Sequence, residues 1–210
     1  LAGDAVAQGV VGWELCARLH AGGVVCWDGS SFAEPPYPPR PAVSFLPSKV
    51  VDIAAAELRD PNSLHALCAL GDDGRAVCWR YQMDPLPSDT RQHDEPYPFA
   101  IDHPLETVGD WKDIAMAYDH SCGVRRDGSV WCAGRNDSGQ LGVAEPRQSD
   151  ALVRVPGVSS AKSVAVGLDH ACALLHNGTV MCWGGNRDDQ CGTGRRGDSV
   201  APTLMLRYAR

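Results

Sequence analysis

The sequence predicts an all-β protein: a β-propeller built from four repeats of about 50 residues, each folded as a four-stranded blade. Three observations carry that prediction. Eight of the nine cysteines fall into four pairs of one spacing: Cys16 with Cys26, Cys68 with Cys78, Cys122 with Cys132, and Cys172 with Cys182. A glycine stands six residues after the first cysteine of every pair, at Gly22, Gly74, Gly128 and Gly178. A short strand of small residues precedes each pair. The first cysteines of successive pairs lie 52, 54 and 50 residues apart, a period that belongs to propellers and stacked arrays.

The small strands open each unit: Asp4-Ala5-Val6-Ala7, Asp52-Ile53-Ala54-Ala55, Asp113-Ile114-Ala115-Met116 and Ser163-Val164-Ala165-Val166. Small side chains suit a strand crowded near a central axis. Each cysteine-to-cysteine segment then reads as a β-hairpin. Around Cys172 the flanking runs are short and β-prone, and His176-Asn177-Gly178 lies between them. Placing Cys172 opposite Cys182 sets Leu175 opposite Thr179 and leaves a three-residue loop. Such a loop takes a type I turn followed by a residue at positive φ, which favours glycine. The matching loops, His20-Ala21-Gly22, Asp72-Asp73-Gly74 and Arg126-Asp127-Gly128, all end in glycine. In this register the cysteines form a non-hydrogen-bonded pair with Cα atoms about 4.5 Å apart, within disulfide reach. A closed loop of about ten residues gives roughly 2–3 kcal/mol per bridge on the chain-entropy account.

A further apolar run precedes the small strand in the later repeats: Val43-Ser44-Phe45-Leu46, Pro98-Phe99-Ala100-Ile101 and Leu152-Val153-Arg154-Val155. One run, one small strand and one hairpin make four strands. The first repeat lacks such a run. Near the C-terminus, Pro202-Thr203-Leu204-Met205-Leu206 supplies one with no hairpin after it. The expectation is that residues 202–206 complete the first blade and close the ring, which removes exposed sheet edges. The repeats then span roughly 1–40, 41–96, 97–146 and 147–206 of a single propeller domain, 1–210.

Asp169-His170-Ala171-Cys172-Ala173-Leu174, followed by Gly178-Thr179-Val180-Met181-Cys182-Trp183-Gly184-Gly185-Asn186, resembles the regulator-of-chromosome-condensation repeat. Arg135-Asn136-Asp137-Ser138-Gly139-Gln140-Leu141-Gly142 resembles it as well. The Cys-Trp-Gly after the hairpin is similar to the cysteine-rich form found in secreted bacterial members. The resemblance is strong over residues 108–206 and weaker over 1–107. It implies a β-propeller that acts through protein contacts. Two departures stand out. The family usually has seven blades and the repeats counted here are four, which fits a small closed propeller, an assembly-forming half or part of a larger chain. The first two repeats also lack the Asn-x-x-Gly-Gln-Leu-Gly segment.

Composition narrows the function classes. A chain of 210 residues buries a substantial core. No run of eighteen apolar residues is present, so no membrane insertion is expected. No signal peptide is visible at Leu1, but the missing initiator Met fits a processed or trimmed chain. Regularly paired cysteines point to an oxidising compartment: secreted, periplasmic or cell-surface. A formal net charge of −7 disfavours nucleic-acid binding, which draws on clustered Lys and Arg.

The remaining motifs favour structure over chemistry. Zinc is the rival reading of the cysteines, but zinc ligands come as closely spaced pairs, whereas opposed hairpin cysteines suit disulfides. No metal and no cofactor are expected. Cys191 is the unpaired thiol and replaces the leucine of Gly139-Gln140-Leu141-Gly142, which predicts a small buried side chain, with an intermolecular bridge or a reactive thiol as the rival readings. Asp119-His120 and Asp169-His170 sit at matching positions, and a repeated Asp-His reads as a blade-stabilising hydrogen bond. A triad of Asp119, His120 and Ser121 fails because strand neighbours point apart. Asp72-Asp73 and Asp188-Asp189 read as solvated loop charge, with a weak calcium contact as the rival reading. Gly192-Thr193-Gly194 lacks the Lys-Ser/Thr of a phosphate loop. Asn136-Asp137-Ser138 and Asn177-Gly178-Thr179 fit the glycosylation pattern but are accounted for by turns.

Function is expected where the repeats differ. The first two carry special loops, Ser31 to Arg40 and Asp94-Glu95-Pro96-Tyr97-Pro98-Phe99, both with Glu-Pro and Tyr-Pro elements. Prolines stiffen a loop, and a stiff loop presenting aromatics and arginine binds at low entropic cost; the rival reading is that these prolines merely blunt strand edges and span between blades. Phe32, Tyr37, Arg40, Tyr81, Tyr97 and Phe99 are the candidate binding residues. The expected function is an extracellular or periplasmic protein-binding module without catalysis, with a protein or peptide partner and with self-association open to it. The alternatives are a polysaccharide-directed hydrolase or lyase, which rests on fold analogy alone, and a structural segment of a surface assembly. Nucleotide exchange and chromatin binding are opposed by the negative charge and the cysteine pairs.

Overall fold

The computed structural model describes residues 6–11, 14–28, 40–41, 49–56, 65–81 and 110–204. All regular structure among them is β, and the strands form separate antiparallel sheets. The first sheet holds β1 (Val6–Val11), β2 (Glu14–Leu19), β3 (Val24–Asp28) and β4 (Arg40–Pro41) in that order. The second holds β5 (Val50–Ala55), β6 (His65–Gly71) and β7 (Ala76–Tyr81). The third holds β8 (Trp111–Met116), β9 (His120–Arg125), β10 (Val130–Arg135) and β11 (Gln148–Arg154). The fourth holds β12 (Ala161–Val166), β13 (His170–Leu175), β14 (Val180–Gly184) and β15 (Ser199–Leu204).

The hairpins have the expected register. Cys16, Cys68, Cys122 and Cys172 stand directly opposite Cys26, Cys78, Cys132 and Cys182. The last three pairs are disulfides, with Cα atoms 4.0, 4.1 and 4.0 Å apart. For the first pair only the backbone is described. Each loop closes as predicted. In the fourth sheet Leu175 N–H donates to the Thr179 carbonyl and Gly178 N–H to the Leu175 carbonyl, at 2.8 and 2.9 Å. Gly178 takes φ +81°, and Gly128 takes +80°.

The outer strands correct the expected phase of the repeat. Residues 202–204 lie in β15, which pairs with β14 and not with the first sheet. The C-terminal strand therefore completes the fourth sheet, and the first sheet has β4 as its own outer strand. Leu152, Val153 and Arg154, grouped above with the repeat that follows them, pair as part of β11 with β10. The order within a unit is inner strand, hairpin, outer strand. The run after a hairpin comes back antiparallel beside it across the long connection of residues 136–147, although the connection onward to the next inner strand is shorter. The runs at 43–46 and 98–101 lie outside the described residues.

Every inner strand carries a register shift against its neighbour, at Val6/Gln8, Val50/Asp52, Trp111/Asp113 and Ala161/Ser163. A bulge there bends and twists the strand. A backbone latch then joins each of the first three sheets to the next. Val50 N–H donates to the Gly22 carbonyl (3.0 Å), Trp111 N–H to Gly74 (3.0 Å) and Ala161 N–H to Gly128 (2.9 Å). The core lies between sheets. Cys122, Val124, Val130 and Cys132 of the third sheet pack with Ala171, Ala173 and Trp183 of the fourth. Cys68, Leu70, Ala76 and Cys78 of the second pack with Trp111, Ile114 and Met116 of the third.

Candidate interaction face

The two ends of the sheets have different tasks. One end carries the hairpin turns and the glycine latches. The opposite end is where β3, β7, β10 and β14 finish and where the longer connections run. In the third and fourth sheets these connections are built around asparagine. Asn136 is buried; its amide donates to the Val143 and Pro146 carbonyls at 2.9 and 2.8 Å, and its Oδ1 accepts from Leu141 N–H at 2.9 Å. Asn186 repeats the scheme with the Arg195 carbonyl, Thr193 Oγ1 and Cys191 N–H. Trp183 Nε1 donates to the Gln140 carbonyl at 2.9 Å, which ties the first of these loops to the fourth sheet.

At this end two large apolar side chains stand in solvent. Tyr118 and Leu168 are 55% and 47% exposed and occupy matching places, each directly before an Asp-His pair. The Asp-His pairs themselves are structural. His120 is fully buried, and its Nδ1 lies 3.0 Å from Asp119 Oδ1. Burial pushes the Asp119 carboxyl up, but His120 and Arg135 outweigh it and hold it below its ordinary value. Asp169 and His170 repeat the pair more loosely, at 3.5 Å. Ser121 is buried too, so Asp119, His120 and Ser121 do not converge on a solvent-facing point.

Cys191 takes the place of Leu141, and both are fully buried. Burial raises its thiol pKa, and the charges of Asp169, Asp189 and Asp198 add to the rise. Such a thiol is a core group and a poor nucleophile. Asp189, at φ +61°, accepts from Thr193 N–H (2.9 Å) and Gly194 N–H (3.0 Å), so it shapes its loop. Among the described residues no group of three or more His, Cys, Asp or Glu is gathered to hold a metal. No helix among them is long and apolar enough to cross a membrane.

Of the predicted binding residues, Arg40 opens β4 opposite Cys26, and Tyr81 closes β7 opposite His65. Both therefore lie where the special loops leave the sheets. Phe32, Tyr37, Tyr97 and Phe99 lie outside the described residues.

Two interactions had no reading in the sequence. Arg125 lies over the ring of Trp131 (4.4 Å) and near that of Trp111 (5.5 Å), which sandwiches a cation between aromatics. Asp113 bridges sheets, since its Oδ2 accepts from Val164 N–H at 2.7 Å. Burial raises the Asp113 pKa to about 6; Val164 N–H opposes the rise, and the charge and hydrogen bond of Asp52 add to it. The available signal was an aspartate at one place in three small strands, Asp4, Asp52 and Asp113.

Comparison with known proteins agrees with this architecture. The regulator of chromosome condensation (RCC1) repeat matches residues 111–140 and 161–190, and a second description of that repeat matches 127–174. No curated protein matches the chain by sequence. Among solved structures, yeast RCC1 (Prp20) bound to Kap60 is similar at TM-score 0.67 and 22% identity, covering 99% of this chain and 50% of that one. Prp20p from Saccharomyces cerevisiae gives 0.65 and 21%, covering 99% and 52%. Human WBSCR16 gives 0.71 and 19%, covering 98% and 54%. The chain thus spans about half the length of the proteins whose fold it shares. Residues 111–190 match the regulator of chromosome condensation (RCC1) repeat, and the chain shares its all-β fold with RCC1 proteins.

Proposed function

We propose that this chain is a protein-binding module acting outside the reducing cytoplasm, secreted, periplasmic or on a cell surface, with no catalytic step of its own. The observation that carries the reading is the pairing of RCC1 repeats with special loops that follow β3 and β7 in sequence. Repeat folds of this kind act through contact. Yeast RCC1 has been crystallised bound to Kap60, and Prp20p has been studied for binding to Gsp1p and histones. Those partners belong to proteins about twice the length of this chain. The three disulfides support a non-reducing setting. The net charge of −7 disfavours nucleic acid as the partner.

The partner is a protein or peptide, and it docks on the loops that follow β3 and β7. Phe32, Tyr37, Arg40, Tyr81, Tyr97 and Phe99 supply the aromatic and cationic anchors. In this reading residues 1–210 act as one domain of four blades, a bacterial-type cysteine-rich propeller. The test is affinity capture with the oxidised protein as bait, beside a bait carrying Tyr37→Ala and Tyr97→Ala. One protein held by the first bait and lost by the second, with melting temperatures alike, is the expected result. Equal capture by both baits removes these loops from the account.

A further inference from the structure

Of the asparagines in the chain, Asn177 alone is followed by glycine. It stands exposed at the tip of the turn between β13 and β14. That exposure belongs to the place in the hairpin. Ala21, Asp73 and Asp127 hold the matching positions and are exposed too, although their turns are latched to a following sheet. Asn136 and Asn186 are the opposite case: both are buried, and their amides are bonded inside their loops. Asn62 lies outside the described residues.

The turn prepares the Asn177 side chain for attack at carbon. Its Oδ1 accepts from Thr179 N–H at 2.9 Å, which draws electron density from Cγ. The nitrogen of the next residue is the nucleophile that a small ring can reach, and glycine has no Cβ to obstruct the closure. In the resting turn that nitrogen is occupied, since Gly178 N–H donates to the Leu175 carbonyl at 2.9 Å. Closure therefore waits on a local opening of the turn, which at an exposed tip costs far less than opening the sheet.

The acid product fits the same turn. Asp73 Oδ1 accepts from Arg75 N–H at 2.9 Å and Asp127 Oδ1 from Ser129 N–H at 2.8 Å, the contact that Asn177 makes with Thr179. Hydrogen bonds from Ser129 hold the Asp127 carboxyl below its ordinary value, and Arg125 and Arg154 add to this. A cation reaches the fourth turn as well, where Lys112 Nζ lies 3.0 Å from His176 Nε2.

We propose that Asn177-Gly178 is a site of spontaneous deamidation, with water as the only co-reactant. The Gly178 nitrogen loses its proton to water or hydroxide and bonds to Asn177 Cγ. The Cγ–Nδ2 bond breaks, and ammonia leaves. Water then opens the cyclic imide. Cleavage of the new bond to Cγ gives aspartate on an unchanged backbone, the form found in the second and third turns. Cleavage at the main-chain carbonyl gives isoaspartate, which routes the backbone through Cβ and Cγ. The lengthened loop cannot keep both the Gly178-to-Leu175 and the Leu175-to-Thr179 bonds, while Cys172–Cys182 still holds the strands together. Isoaspartate therefore loosens the turn and spares the hairpin. Both products add a negative charge, and neither depends on the partner proposed above.

The test incubates the folded, oxidised protein at mildly acidic and mildly alkaline pH. Peptides are mapped by mass spectrometry, and isoaspartate is read by enzymatic methyl labelling. Acid should appear at residue 177 about tenfold or more faster than at Asn136 or Asn186, whose loops open less often. The rate should rise with pH, and aspartate and isoaspartate should form together. Asn177→Asp should melt as wild type does. Equal rates at the three asparagines overturn the proposal. So does a rate indifferent to pH, or aspartate formed without isoaspartate, because direct hydrolysis of the amide gives no isomer. A lowered melt for Asn177→Asp overturns the claim that the turn accepts its product.

Discussion

Asp113 makes the fold sensitive to pH, and replacing it with asparagine should make the protein more stable above neutrality. The carboxyl sits on the inner strand of the third sheet, accepts a hydrogen bond from Val164 of the fourth, and faces Asp52 of the second. Its pKa rises from 3.8 to about 6, with burial as the main cause. A carboxyl with a higher pKa folded than unfolded holds its proton more tightly in the fold. That contribution is complete below pH 3.8 and is lost as the pH rises through about 6. A shift of this size corresponds to about 3 kcal/mol at most, and partial solvent exposure screens it to about 1–2 kcal/mol. An asparagine side chain at this position would still accept from Val164 N–H and would offer its amide to Asp52, without the charge. Urea unfolding of wild type and Asp113→Asn at pH 4.5 and pH 7.5 reads the effect. The variant should gain about 1–2 kcal/mol relative to wild type between those two values. An equal difference at both pH values would refute the reasoning, because a geometric effect of the substitution does not depend on pH.

Two further outcomes are expected. Gly128→Ala should destabilise the protein more than Gly178→Ala in thermal melts: both glycines have positive φ, but only the first would press a Cβ onto the Ser160 backbone. The strain common to both is about 1–2 kcal/mol, so equal losses would argue against the latch geometry. Refolding in reductant should lower stability by roughly 2–3 kcal/mol for each hairpin bridge lost, read as a fall in melting temperature against an oxidised control. An unchanged melt would mean that the turns alone hold the hairpins.

The hairpins were legible because two independent markers fix one register. A cysteine pair and a glycine six residues after its first member leave a single way to close the loop. The phase of the repeat was not legible. A cycle of four strands can be cut between any two, and composition does not say whether Leu152-Val153-Arg154 belongs to the hairpin before it or the strand after it. Pairing across Gly134, where β10 meets β11 with a register shift, decides this, and the shift leaves no mark in the apolar pattern. Asp113 was invisible for a related reason. Its reach to Val164 follows a bulge on its own strand and the nearness of the next sheet, neither of which is local to the chain. Cys191 was readable because its repeat partner, Leu141, named the environment.

The separation of the two ends bears on where change is tolerated. At the turn end, each of the first three glycines is latched to the following sheet, so a new side chain there meets neighbouring atoms. At the loop end, Asn136 and Asn186 keep the later connections in one form by spending every polar atom of their amides inside the loop. The first two repeats carry no asparagine at the matching place, four residues after the second cysteine. Those connections can diverge without disturbing a sheet junction, because the junctions are made by inner strands and turns at the other end. A surface free of structural duty is where a binding specificity can be set by sequence, and loops rich in proline and aromatics are suited to hold it. Substitutions at the turn end should therefore change melting temperature with partner capture following it, whereas those at Tyr37 and Tyr97 should change capture alone.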